Sequence, residues 1–182
     1  MVIVGDTPLK FTAPGGKAYI GRGTWHLPDG DTPGAWMPDY EVQPILCERG
    51  YHWCYARHAV EHLHAECYLV EARGATVYGD DKNVSQGARL LRRVDTWNER
   101  TARLFAADCA EDVVHLCGDD PAPRAAIETA RRYANGAASA AALLTTYQNM
   151  QSAAWDAERV AAWDPAREKQ TARLLRYLNG DI

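Results

Sequence analysis

Apolar and polar positions change rhythm along this chain. Up to Pro44, short apolar pieces such as Val2-Ile3-Val4 and Ala18-Tyr19-Ile20 are cut by Pro14-Gly15-Gly16, Pro28-Asp29-Gly30 and Thr32-Pro33-Gly34. Such breakers predict strands, turns and an extended loop. Between Tyr55 and His64, the residues Ala59, Val60 and Leu63 fall at i, i+1 and i+4, which predicts a short helix with these three inward and histidines on its other face. Cys67-Tyr68-Leu69-Val70-Glu71-Ala72 mixes β-branched and aromatic residues with partial alternation and predicts a strand closed by a turn at Arg73-Gly74. After Gly79-Asp80-Asp81, the residues Leu90, Leu91 and Val94 fit either a last strand or a short helix.

From Asp95 onward the pattern turns helical. Thr96-Trp97-Asn98-Glu99 has the spacing of a capping box, with a hydroxyl and a carboxylate satisfying orphan amides. The helix it opens should stop at Gly118. Asp120-Pro121 prepares a second helix with Ile127, Ala130, Tyr133 and Ala134 on one face and Gly136 beyond its end. Residues 137–163 are Ala-rich without proline or glycine and predict one long helix. Asp164-Pro165 restarts a last helix with Ala172, Leu175 and Leu178 inward and Asn179-Gly180 as terminator. The expectation is an α+β architecture: a small, mostly antiparallel β-rich module over 1–94 and a four-helix, Ala-rich bundle over 95–182.

Composition narrows the function classes. At 182 residues the chain can bury a sizeable core, and a formal charge of -4 supplies no basic footprint for nucleic acid. No run reaches the roughly 20 apolar residues of a bilayer span, and the start shows no basic segment followed by an apolar one. The expectation is a protein with no membrane partner, neither secreted nor spanning a membrane. Its 5 cysteines then read as free thiols in a reducing cytoplasm.

Candidate chemistry clusters in the segment from Cys47 to Cys67. Cys47, His52, Cys54, His58, His62, His64 and Cys67 are possible metal donors, and His58 and His62, at i and i+4, could present two imidazoles to zinc. Alternatively the histidines form a solvated face and the cysteines pack as small hydrophobes.

Several stretches carry family resemblances. The order Gly23-Thr24-Trp25-His26, Gly50-Tyr51-His52-Trp53-Cys54, Tyr68-Leu69-Val70-Glu71 and Gly79-Asp80-Asp81 resembles small ADP-ribosyltransferases of the rifamycin-modifying kind over residues 18–95. That resemblance implies a nicotinamide dinucleotide (NAD) site with His26 at the ribose, Tyr51 or Tyr55 on the nicotinamide, and Asp80 or Asp81 stabilising the oxocarbenium charge. Where that family has His-Gly-Thr, this chain has Ile20-Gly21-Arg22-Gly23-Thr24. Gly23-Thr24-Trp25-His26-Leu27-Pro28, Pro33-Gly34-Ala35-Trp36-Met37-Pro38, Cys47-Glu48-Arg49-Gly50-Tyr51-His52 and Ala88-Arg89-Leu90-Leu91-Arg92-Arg93 are similar to proteins of actinobacteria and their phages. The second half, with Asp120-Pro121-Ala122-Pro123-Arg124, is similar to helical immunity modules. The last two resemblances imply instead a non-catalytic protein without a cofactor that covers a host or toxin protein, in the host cytoplasm if phage-encoded.

For such a role the binding candidates are Trp25 and Trp36 in the Pro/Gly-rich loop, since tryptophan is enriched at interface hot spots; the alternative is that the loop folds back and plugs the edge of a small sheet with both indoles. Trp53, Trp155 and Trp163 could add contact area. Arg89, Arg92 and Arg93 could form a cationic ridge, with ordinary surface pairing as the alternative.

Overall fold

The computed structural model describes residues 2–150 and 163–182. The described chain is α+β and divides into two compact units, Met1–Trp97 with Leu174–Ile182, and Asn98–Arg173. The division was expected after Val94; it falls after Trp97, and the last nine residues count with the first unit rather than with the helical one.

Among the described residues of the first unit, strands β1 (Pro8–Thr12), β2 (Tyr51–Tyr55), β3 (Glu66–Tyr78) and β4 (Asn83–Arg93) close into an antiparallel barrel in the order β1-β2-β4-β3. β1 pairs on both sides, with Leu9 opposite Cys54 on β2 and Leu69 on β3. Leu9 and Phe11 are buried, and Lys10 lies between them. One core cluster joins Trp25, Trp53, Tyr68, Val70, Ala88 and Leu90. Trp97, Leu174, Tyr177 and Leu178 are also buried, with Phe11 edge-on to Trp97 at 6.0 Å.

Several elements differ from the sequence-based expectation. Val2-Ile3-Val4 and Ala18-Tyr19-Ile20 lie outside the strands. The segment Ala56–His62 is a 3₁₀ helix in which Ala59 is buried while Val60 and Leu63 are only half-buried. Arg73-Gly74 is not a turn: β3 runs through it as a bulge, with Gly74 at φ 74° and Ala75 N–H donating to Gln86 Oε1. Lys82 to Val94 resolves as strand β4 rather than helix.

β4 pairs with β2 only through Asn83–Ser85, so its following stretch needs other cover. The Pro-rich loop supplies it. Gly34, Met37 and Tyr40 N–H groups donate to the carbonyls of Leu90, Ala88 and Gln86, each at 2.9 Å. Gly34 packs so closely that a Cβ there would collide with the carbonyl of His26.

In the second unit, α1 (Glu99–Val113) starts at Asn98, not Thr96. The Asn98 side chain accepts from Thr101 N–H, while the Thr101 hydroxyl accepts from Asn98 N–H. The Thr96 hydroxyl instead donates to Leu178 O at 2.6 Å within the first unit. α1 runs into a 3₁₀ turn that ends at Gly118, whose φ is 62°. α2 (Pro121–Ala134) is capped by Asp120 and buries Ile127. α3 (Ala140–Met150) begins after Ser139, whose hydroxyl accepts from Ala142 N–H. The rest of the helix expected over 137–163, Trp155 and the side chain of Trp163 lie outside the described residues. The last helix, α4 (Trp163–Asn179), turns Leu174, Tyr177 and Leu178 inward rather than Ala172, Leu175 and Leu178: Ala172 is exposed and Leu175 half-buried.

No helix of the described residues is long and apolar enough to cross a membrane.

Candidate functional site

A cleft of about 430 Å³ opens in the first unit, walled by Tyr19, Trp25, Tyr40 and Tyr51, with Lys10 and Lys82 also lining it. Its geometry begins at Gly50. A Cβ there would fall 2.5 Å from Val84 Cγ2, and φ is 117°, so only glycine lets the chain enter β2 at this point. Tyr51 follows. Its ring meets Trp25 edge-on at 5.5 Å and Tyr40 at 5.2 Å, and its hydroxyl donates to Pro38 O at 2.6 Å.

The opposite wall is the loop from Ala13 to Trp25, folded back on itself by bonds from Trp25 N–H to Gly16 O and from Ala18 N–H to Gly23 O. Glu66 on β3 ties this loop down. One carboxylate oxygen accepts from Gly16 N–H, Thr12 Oγ1 and Tyr68 OH, at 3.2, 3.4 and 3.0 Å. Burial opposes Glu66 ionisation, yet these bonds outweigh it and hold its carboxyl below the ordinary value. Tyr19 is fixed by stacking on His64 at 5.1 Å, and His64 Nδ1 lies 3.1 Å from Thr12 O.

Lys10 projects between the rings, its Nζ 5.5 Å from the Trp25 centroid and 5.8 Å from that of Tyr19. Among the described residues no carboxylate comes within ion-pair distance of it. Burial pushes the Lys10 amine down to about 8. Lys82 has Asp81 Oδ2 at 3.5 Å. Burial and the nearby Lys10 lower His52, whose Nε2 accepts from Cys47 N–H and so carries no proton there. Burial raises the phenols of Tyr19 and Tyr51. Lys10 was missed in the sequence, where a single lysine in Pro-Leu-Lys-Phe-Thr gives no signal beyond a charge in a strand-like alternation.

The residues expected from the ADP-ribosyltransferase resemblance separate. Tyr51 lines the cleft, Asp81 meets it only through Lys82 and His62, and His26 sits on a loop with Nδ1 3.3 Å from Ala35 O, away from the cleft walls. Of the binding candidates, Trp25 is buried rather than exposed. Trp36 is half-buried between the guanidinium groups of Arg73 and Arg89, 4.1 and 4.7 Å from its ring. Arg89 also bonds Glu71, while Arg92 and Arg93 lie 3.9 and 3.7 Å from the exposed Asp31 and Asp95, so the expected ridge is paired.

The proposed metal donors are dispersed in the same way. Cys54 is buried with Sγ toward Leu9 O, His58 accepts from Arg57 Nε, and His62 Nε2 lies 3.0 Å from Asp81 O. Among the described residues no three such side chains converge on a common point. Cys47 is exposed and holds a left-handed φ of 62° in the turn between Ile45 and Arg49.

No family model, curated protein or solved structure matches this chain.

Proposed function

We propose that the first unit binds a small molecule through a flat aromatic ring held in the Lys10 cleft. The observation that carries this reading is the wall of Tyr19, Trp25, Tyr40 and Tyr51 around about 430 Å³, a size and character typical of ligand pockets. NAD, named by the resemblance, belongs to this ligand class. The test is calorimetric titration with adenosine, nicotinamide and NAD. Saturable binding that weakens in Tyr40→Ala supports the reading, and no binding by any ring compound removes it.

A transferase built on this cleft would use Tyr51 against the nicotinamide, since Tyr51 is the residue of the expected set that lines it. Release of nicotinamide from NAD, lost in Tyr51→Ala, distinguishes that enzyme from a binder.

The protein-covering role expected from the sequence draws on other residues than its two tryptophans. Val42, Ile45, Val77 and Tyr78 are exposed apolar side chains of the same unit. If they cover a host or toxin protein, a Val42→Asp, Tyr78→Asp variant no longer co-purifies with that partner, while ring binding in the cleft is unchanged.

A further inference from the structure

We propose that Lys10 is an anion receptor, so that the ring ligand of this cleft carries a phosphate or carboxylate group seated on its Nζ. The inference rests on the ring-binding reading and adds the ligand's charge.

A largely buried ammonium without a counter-ion is costly, and native folds ordinarily pair such groups. Among the described residues, the groups facing Lys10 do not offset its charge. Tyr19, Trp25 and His52 are neutral at neutral pH, and so is Cys54, whose thiol burial pushes up to about 12. Lys82 is cationic, and its neighbour Asp81 is already shared with His62. Lys10 lines the cleft beside Tyr51, so an anionic substituent of a ring lying against Tyr51 would reach it. Such an anion would supply the missing partner through a charge-assisted bond. Since the amine releases its proton near pH 8, anion affinity should fall as the pH rises through that value.

The experiment compares nicotinamide, nicotinate and nicotinamide mononucleotide by calorimetry on the full chain, at low salt, with wild type, Lys10→Met and Lys10→Arg. The expected result is at least tenfold tighter binding of one charged member than of nicotinamide, kept in part by Lys10→Arg and erased by Lys10→Met. Whether nicotinate or the mononucleotide gains identifies a carboxylate or a phosphate site. Equal binding of charged and neutral members, or a preference that survives in Lys10→Met, overturns this inference while leaving ring binding intact. If no member binds, the ring reading fails, and inorganic phosphate then decides the anion site alone. An upward shift of the Lys10 titration in ¹⁵N NMR supports it, and an unmoved titration overturns it.

Discussion

Arg173 and Lys10 are both cations withdrawn from water, one in each unit, and their surroundings treat them in opposite ways. Arg173 gives Nη1 to Asp112 Oδ2 at 2.6 Å and to Asp108 O at 2.7 Å, and Nη2 to Asp112 Oδ1 at 3.2 Å. Asp112 also takes Lys169 at 2.7 Å, and its bond with Arg173 is the main reason its carboxyl titrates below the ordinary value. Arg131 is held likewise, by Asp108 and Glu111. Among the described residues, Lys10 has aromatic rings beside it and no carboxylate within ion-pair distance. A cation whose donors are used up within its own unit serves the fold. One that keeps its donors facing an open cleft destabilises the fold, which makes sense where a ligand completes the arrangement.

Lys10→Met gives the largest expected departure from this contrast. A folded-state amine near 8, against an ordinary 10.5, corresponds to about 3 kcal/mol of strain at neutral pH. The variant should therefore be more stable than wild type by that order in urea unfolding. Between pH 8 and 10.5 the unfolded chain holds the Lys10 proton that the folded chain has released, so wild-type stability rises with pH and the gap closes across this window. A gap that is absent at neutral pH, or constant through the window, would mean that Lys10 is solvated well enough to need no partner.

Arg173→Met should move stability the other way, by about 2 kcal/mol, because it leaves Asp112 with Lys169 alone and removes the bond from Arg173 to the Asp108 carbonyl. A loss below about 0.5 kcal/mol, typical of exposed pairs, would place Arg173 among surface charges.

The smallest effect, about 1 kcal/mol, is expected for Glu66→Gln, which keeps the side-chain shape and removes the charge. Glu66 is depressed below its ordinary value when folded, so its contribution is complete above 4.5 and is lost as the pH falls through the folded value. Wild type and variant should converge in acid, followed by the emission of Trp25, which the tethered loop carries. Divergence in acid would show that the carboxylate does not anchor the loop.

What could be read from the sequence was what local chemistry decides. Asp120-Pro121 and Gly118 mark real helix ends, and Cys67–Ala72 lies within β3, because capping and alternation act within a few residues. The cap at Asn98 was displaced by two residues from the expected Thr96, whose hydroxyl is claimed by Leu178, a partner 82 positions away. Arg73-Gly74 read as a turn because glycine marks turns and bulges alike, and only the pairing with β4 separates them. The cleft followed the same division. Gly50-Tyr51-His52 drew attention as a motif, but neither the burial of Trp25 nor the isolation of Lys10 can be seen before the loop closes over β1.

The loop along β4 also bears on how copies of this chain meet one another. The carbonyls of Gln86, Ala88 and Leu90 repeat at two-residue intervals and are occupied by N–H groups of residues 34–40. A nick or deletion within that loop would strip this cover and leave a bare strand edge, the template on which intermolecular sheets and fibrils grow. Pro38 within the covering segment and Pro33 just before it, both exposed, lack a backbone donor and so hinder a further strand from adding there. The same Pro/Gly-rich stretch that looked like a recognition loop in the sequence is therefore also the molecule's guard against self-association.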